Sequence, residues 1–354
     1  MDNVDSIPRC FHRGAPRFEV NNVLGGLYRV KGVKRNGRKQ QLLFVVSVVQ
    51  QHSSNTHIAK VVSRPPTNTQ KLEDHIAWLK SDIVPDSKSH LIFDFRDDDF
   101  VYLIFHRNHY NLKIVMYSGH WKPLSSVLVK DIGLQILQAV RFLHREVKTH
   151  GDICPEHIEF LDSFCSTEES YNEQTEQYET ETIITSTNIR LAFYGDLEIA
   201  QHLNGTDQYR APEVVFGGKS TPESDRFSVG CILGEMVLGR PIFLPCEEGP
   251  LYTQEKAVLY DAISGRFPEG LAITIEEAFP GTFDDLEIRP KCPDTISGTC
   301  RQFYKTFRGW QDLFDDRDLI EVLVNLVHTN PQMRESLDAI ACFEYFRYTN
   351  DDID

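Results

Sequence analysis

His150-Gly151-Asp152-Ile153-Cys154-Pro155-Glu156-His157-Ile158 is the stretch that decides how this chain folds. Three of its positions carry chemistry: Asp152, then Cys154 two residues on, then His157 five residues on. Three further segments follow it in order. Tyr209-Arg210-Ala211-Pro212-Glu213 comes first, then Asp225-Arg226-Phe227-Ser228-Val229-Gly230, then Asn330-Pro331-Gln332-Met333-Arg334. One such segment could arise by accident. The set in this order is a specific pattern.

The set resembles the eukaryotic protein kinases, over nearly the whole chain. Their catalytic loop supplies a base Asp, a Lys two residues on and a magnesium-holding Asn five residues on. Asp152 keeps the base position, whereas Cys154 replaces the Lys and His157 the Asn. Ala211-Pro212-Glu213 matches the end of the activation segment, and Phe227 stands for the Trp of the Asp-x-Trp-x-x-Gly motif. The resemblance implies that Glu213 and Arg334 form a lobe-stabilising ion pair. It also implies that Asp225 ties a central helix to the catalytic-loop backbone. Within the kinases the chain is most similar to the LAMMER (CLK-type) dual-specificity group of the CMGC kinases. Thr206-Asp207-Gln208-Tyr209-Arg210 and Asn188-Ile189-Arg190 carry that likeness, as does the long segment after the catalytic loop. The name-giving motif is lost; its region reads Glu255-Lys256-Ala257-Val258-Leu259-Tyr260-Asp261-Ala262.

The implied fold is α+β and two-lobed. A tail of residues 1–16 precedes a strand-rich N-lobe with one main helix, 17–108. A larger, mostly helical C-lobe of 109–348 carries an acidic insert, 163–187, and a tail of 349–354 ends the chain. A length of 354 residues suits one large two-lobed core or two modest domains.

Composition narrows the function classes. Net charge is −15, from 37 basic and 52 acidic residues, which argues against nucleic-acid binding. An acidic body attracts basic peptides through its long-range field. No apolar run approaches membrane-spanning length, and the acidic start lacks the apolar core of a signal peptide. The eight cysteines show no zinc spacing, so reduced thiols in a nuclear or cytoplasmic protein are expected.

Periodicity places the elements. Residues 17–49 read as strands, with Leu42 to Val49 a β-branched apolar run. A helix follows over Lys71 to Lys80. Leu91 to Phe95 and Phe100 to Phe105 flank Arg96-Asp97-Asp98-Asp99 and read as a hairpin. Leu128, Ile132, Ile136, Ala139 and Leu143 form a helical stripe capped at Ser125 or Ser126. Phe227 to Val237 is apolar nearly all round, which suits a buried helix, and Thr253 to Ser264 stops at Gly265. Ser166 to Ser186 holds six Glu and no Lys or Arg, so a mobile surface insert is expected there.

The resemblance implies a position in this chain for each part of the phosphate machinery. Gly25-Gly26 stands where the glycine loop is expected but lacks the Gly-x-Gly-x-x-Gly spacing, and reads as a hairpin turn. The strand Lys is sought within Phe44 to Val48, where Val46 or Ser47 takes its place; its helix partner falls at Glu73 or His75. Gly195 sets the register of the Asp-Phe-Gly motif, so Phe193 replaces the metal Asp and Tyr194 the Phe, with Asp196 three residues late. Imidazole at His157 suits zinc or copper better than magnesium. Phe105 resembles the gatekeeper, with His106-Arg107-Asn108 as linker and Arg107 and His109 unusual there.

Taken together, the losses lead to the expectation of a catalytically inactive, interaction-type or regulatory protein that needs no cofactor. Its expected partner is a protein, either a related active kinase or a basic Ser/Arg-rich chain. The competing expectation is an unconventional serine/threonine kinase using ATP and magnesium. It would rely on Asp152 as base, Asp196 or His157 for metal, and Lys31 or Lys34 for phosphate.

Overall fold

A computed structural model describes residues 19–35, 42–48, 56–63, 69–80, 91–98, 100–107, 110–117, 123–146, 149–161, 165–172, 177–192, 207–246, 249–284, 289–292 and 295–347. Phe193, Tyr194, Gly195, Asp196, Asn108, His109 and both tails lie outside these. The chain divides into two units. Met1–His109 with Leu191–Asn204 form the first, and Tyr110–Arg190 with Gly205–Asp354 the second.

The first unit is an antiparallel sheet with one helix. Strands β1 (Val23–Leu24), β2 (Tyr28–Arg35), β3 (Leu42–Val48) and β4 (His57–Ser63) precede helix α1 (Thr69–Lys80). Strands β5 (Leu91–Arg96) and β6 (Phe100–His106) follow it, and the sheet order is β1-β2-β3-β4-β6-β5. Alternation along the strands sorts side chains to the two faces. One face buries Ile58, Val101, Leu103 and Phe105 against Ile76 and Leu79 of α1. The other gathers Leu24, Val30, Val46, Ala59, Tyr102 and Ile104. Each such fully buried aliphatic side chain is worth about 1.5–3 kcal/mol relative to leaving it in water. Asp97 closes the β5–β6 turn by accepting the Phe100 N–H at 2.8 Å and the Tyr102 hydroxyl at 2.6 Å.

The second unit is mostly helical. Helix α2 (Leu112–Tyr117) leads to α3 (Ser126–Arg145), whose buried stripe includes Val129, Ile132, Ile136, Val140 and Leu143. Ser125 occupies the N-cap of α3, but its side chain makes no capping hydrogen bond. A 3-10 turn (Pro155–His157) and strand β7 (Ile158–Phe160) come next, and β7 pairs with β10 (Ile189–Leu191). Then follow α4 (Pro212–Val215), α5 (Pro222–Leu238), α6 (Tyr252–Ser264), α7 (Glu269–Ala278), α8 (Gly298–Thr306), α9 (Arg317–Leu326) and α10 (Leu337–Ile340). Helix α5 is the buried centre. It starts in a capping box between Thr221 and Ser224 and ends at Gly239, which adopts φ 66°.

The acidic insert carries regular structure. Its backbone forms strands β8 (Cys165–Asn172) and β9 (Gln177–Ile184). Their Cα partners run from Cys165 with Ile184 to Asn172 with Gln177. Threonine, tyrosine and isoleucine between the glutamates favour extended backbone, and that local preference outweighs the low apolar content.

Candidate catalytic loop and its supports

The loop is held from below by one carboxylate. Asp225, 1% exposed in the first turn of α5, accepts the His150 N–H at 2.8 Å and the Gly151 N–H at 2.9 Å. His144 Nε2 lies 3.0 Å from the same group. Gly151 has φ 74°, a conformation that disfavours a Cβ and aims the next residue outward. The Asp152 N–H then donates to His150 Nδ1 at 3.2 Å. Asp152 is thereby placed as a partly exposed carboxylate on a fixed backbone.

The far end of the loop is closed by His157. Its Nδ1–H donates to the Asp152 carbonyl at 2.7 Å and lies 3.4 Å from Cys154 Sγ. The Asp152 carboxylate stands 3.6 Å from the same nitrogen. Cys154 and His157 are buried. Glu156, between them, turns to the Lys113 ammonium. Burial pushes its carboxyl upward, but that ammonium outweighs burial and holds it below the usual range. Magnesium demands an octahedral shell of oxygen ligands. A thiol and an imidazole where the family has a cation and an amide do not fit that ion.

In the first unit the structure overturns the loss of the strand lysine. The strand immediately before α1 is β4, not β3. Its segment Ile58-Ala59-Lys60 carries Lys60 on the same face as Ile58, the face that α1 covers, with 1% exposure. Val46, by contrast, packs in the core of the opposite face, and Ser47 is buried beside it. The family's lysine sits on the strand preceding the helix that bears its glutamate, so Lys60 fills the slot. Glu73 has an ionic partner on β5. Arg96 of β5 donates to both its oxygens, at 2.5 and 2.8 Å, and that hydrogen bonding lowers its pKa. The side chain of His75, the alternative on α1, lies outside the described residues.

Counting strands from Lys60 also moves the glycine loop. Gly25 and Gly26 turn between β1 and β2 with φ 54° and 71°, and a Cβ on Gly25 would meet the Phe95 ring at 2.1 Å. They form a packed hairpin turn. The connection after the first full strand is 36–41, outside the described residues. Phe105 is fully buried in the helix-side cluster, His106 is exposed, and Arg107 donates to Thr56 Oγ1 at 3.0 Å. Lys31 lies exposed on β2, and the side chain of Lys34 is outside the described residues.

Below the loop, Glu213 and Arg334 meet in a two-pronged pair at 2.6 and 2.7 Å. Arg334 also donates to the carbonyls of His328 and Glu223 and lies 5.0 Å over the Phe227 ring. The Arg210 carbonyl accepts the buried Tyr260 hydroxyl at 2.6 Å. Two supports escaped the sequence reading. Lys256, with no exposed side-chain surface, pairs with Asp207 at 2.7 Å. Glu235, buried in α5, accepts the Tyr117 hydroxyl at 2.5 Å, and burial raises its pKa despite that bond. The signal for Lys256 was its place directly before the apolar run Ala257-Val258-Leu259-Tyr260; Glu235 carried none beyond its place in α5. A small open cleft is lined by Gly151, Asp152, Tyr209, Arg210, Ser220 and Ser224.

Comparison with known proteins agrees with this geometry. Residues 44–346 match a family model described as the protein kinase domain. Over 129 residues the chain is 35% identical to the mouse dual specificity protein kinase CLK2, covering 35% of this chain and 25% of that one. Over 159 residues it is 30% identical to the probable dual specificity protein kinase madd-3 of Caenorhabditis elegans, covering 44% of this chain and 17% of the relative. The chain thus spans a quarter or less of these relatives. Among solved structures, the kinase domain of PF14_0431 superposes with a TM-score of 0.67 at 19% identity, covering 94% of this chain and 99% of that one.

Proposed function

The chain belongs to the protein kinase domain family, and from that premise we propose that it is a CLK-like pseudokinase, a protein-interaction or regulatory module that does not transfer phosphate. The observation that carries this reading is the environment of His157. Its Nδ1 proton is committed to the Asp152 carbonyl, with a thiol beside it. Magnesium in active relatives neutralises charge on the moving phosphoryl group, and this loop offers it no amide oxygen. Asp152 keeps the position of a base, which can orient a hydroxyl but stabilises no charge on phosphorus.

The supports of the fold point to a retained shape. The anchors of Asp225 and Arg334 keep the loop and its underlying helices in place. The acidic excess of 52 over 37 residues favours a basic protein partner, such as a Ser/Arg-rich segment or an active relative bound to one. Among the described residues no helix is long and apolar enough to cross a membrane.

One observation favours a second reading, an unconventional active kinase: Lys60 and Asp152 are both retained, one on a buried strand position and one on an anchored loop. Transfer of labelled γ-phosphate from ATP to a basic Ser-containing peptide separates the two. The pseudokinase reading expects wild type and Asp152→Asn to give the same background. Transfer by wild type that vanishes in Asp152→Asn establishes the active kinase instead.

A further inference from the structure

Asp152, Cys154 and His157 are more than a depleted magnesium site. A carboxylate oxygen, a thiol sulfur and an imidazole nitrogen from these residues all lie within 4.8 Å of one another. Cys154 Sγ is 3.4 Å from His157 Nδ1, and Asp152 Oδ2 is 3.6 Å from it. In a tetrahedral zinc site the bonds are about 2.3 Å to sulfur and about 2.0–2.2 Å to nitrogen or oxygen, so neighbouring donors sit roughly 3.3–3.6 Å apart. The imidazole nitrogen already stands at that spacing from both other donors.

Charge agrees with the geometry. One Nδ1 proton now faces three acceptors: the Asp152 carbonyl at 2.7 Å, the thiol and the carboxylate. A divalent ion in its place engages thiolate and carboxylate together, at the cost of the carbonyl's hydrogen bond. Thiolate with imidazole selects a borderline-soft ion over magnesium or calcium. Asp152 is partly exposed and lines a small open cleft, whereas Cys154 and His157 are buried.

We propose that Asp152, Cys154 and His157 form a zinc-class site with an open fourth position. Binding releases one proton to solvent, from the thiol, while the imidazole proton moves from Nδ1 to Nε2. Affinity therefore rises with pH until the thiol is ionised. The site goes beyond the pseudokinase reading and holds whether or not phosphate is transferred.

A second group, Cys246, Glu255 and Cys300, also gathers donors within 4.8 Å, so the experiment must tell the two apart. The full-length, chelator-stripped, reduced protein is titrated with cobalt(II), followed by its near-ultraviolet sulfur-to-metal absorption, and then with zinc to displace it. Wild type is expected to show the band. Cys154→Ser is expected to lose it, and Cys246→Ser/Cys300→Ser to keep it. His157→Asn, which restores the family's residue, should weaken binding by about tenfold or more; it also serves if Cys154→Ser fails to fold. The proposal is overturned by absence of the band in wild type, by unaltered affinity in His157→Asn, or by loss of the band only in the Cys246→Ser/Cys300→Ser protein.

Discussion

A lysine with 1% of its surface exposed is costly to bury unless its charge is engaged. Lys60 stands in the middle of β4 among Ile58, Ala59, Val61 and Val62, on the face covered by α1. In the family's chemistry an ammonium anchors the nucleotide and a metal ion assists the transfer, so the two roles are separable by experiment. Wild type is accordingly expected to be stabilised by ATP in the presence of a chelator. At a ligand concentration about 100 times the dissociation constant the gain is about 2.7 kcal/mol. Lys60→Met should melt as a folded protein but show no ATP-dependent shift. A wild-type melt unmoved by ATP in chelator, or a shift of equal size in Lys60→Met, would remove the anchoring role. The sequence reading missed this lysine for a physical reason. Leu42 to Val48 is the denser apolar run and looks more like a central strand than His57 to Ser63, so the strand count slipped by one. The helix that follows β4 fixes the count, and the short gap from Lys60 to α1 was the available signal.

At the scale of elements, motifs whose function is mechanical were the most legible. Asp225, Glu213 and Arg334 were each placed from residue type and order alone, because a buried charge has few ways to be satisfied and its partner must stand elsewhere in the chain. The geometry of the pair between α4 and the turn before α10 gives a measurable consequence. Arg334→Met alone leaves Glu213 uncompensated and should cost about 3–5 kcal/mol in urea unfolding, whereas Glu213→Leu combined with Arg334→Met should recover part of that loss. Equal losses in the single and double variants would assign the effect to packing on Phe227 instead. The acidic insert was less legible, since its glutamates hid a strand-forming background of threonine, tyrosine and isoleucine. Strands β8 and β9 form a sheet of their own, bonded only to each other among the described strands. Replacing Ser166 to Ile183 by a short Gly-Ser connection should therefore change unfolding free energy by no more than about 0.6 kcal/mol, the scale of a change in loop length. A larger loss would mean that the hairpin braces the second unit.

For the molecule as a whole, the response to pH follows from groups that neither motif nor composition singles out. His57 is held below its ordinary value of 6.5 by burial and then by His106, whose ring centre lies 6.4 Å away. His328 is likewise lowered by burial and then by Arg334, and its Nδ1 accepts the Asn330 N–H at 2.9 Å. The unfolded chain protonates these imidazoles first as acid is added. Their contribution is present above about pH 6.5 and is lost as the pH falls through their folded values. Glu235 has the opposite sign. Burial raises it above 4.5, so its contribution is present in acid and lost as the pH rises through its folded value. Carboxylates held low by partners, such as Asp207 beside Lys256, titrate only in stronger acid and stay silent in this window. Difference measurements separate the two signs. Between pH 7 and 5.5, the doubly substituted His57→Phe/His328→Asn protein should lose less stability than wild type. Glu235→Gln, which keeps an acceptor for Tyr117, should gain on wild type steadily as the pH rises above 4.5. If the stability difference between Glu235→Gln and wild type were flat across that range, the carboxyl at the centre of α5 would have to be charged in both states, and its burial against Tyr117 would need another source of compensation.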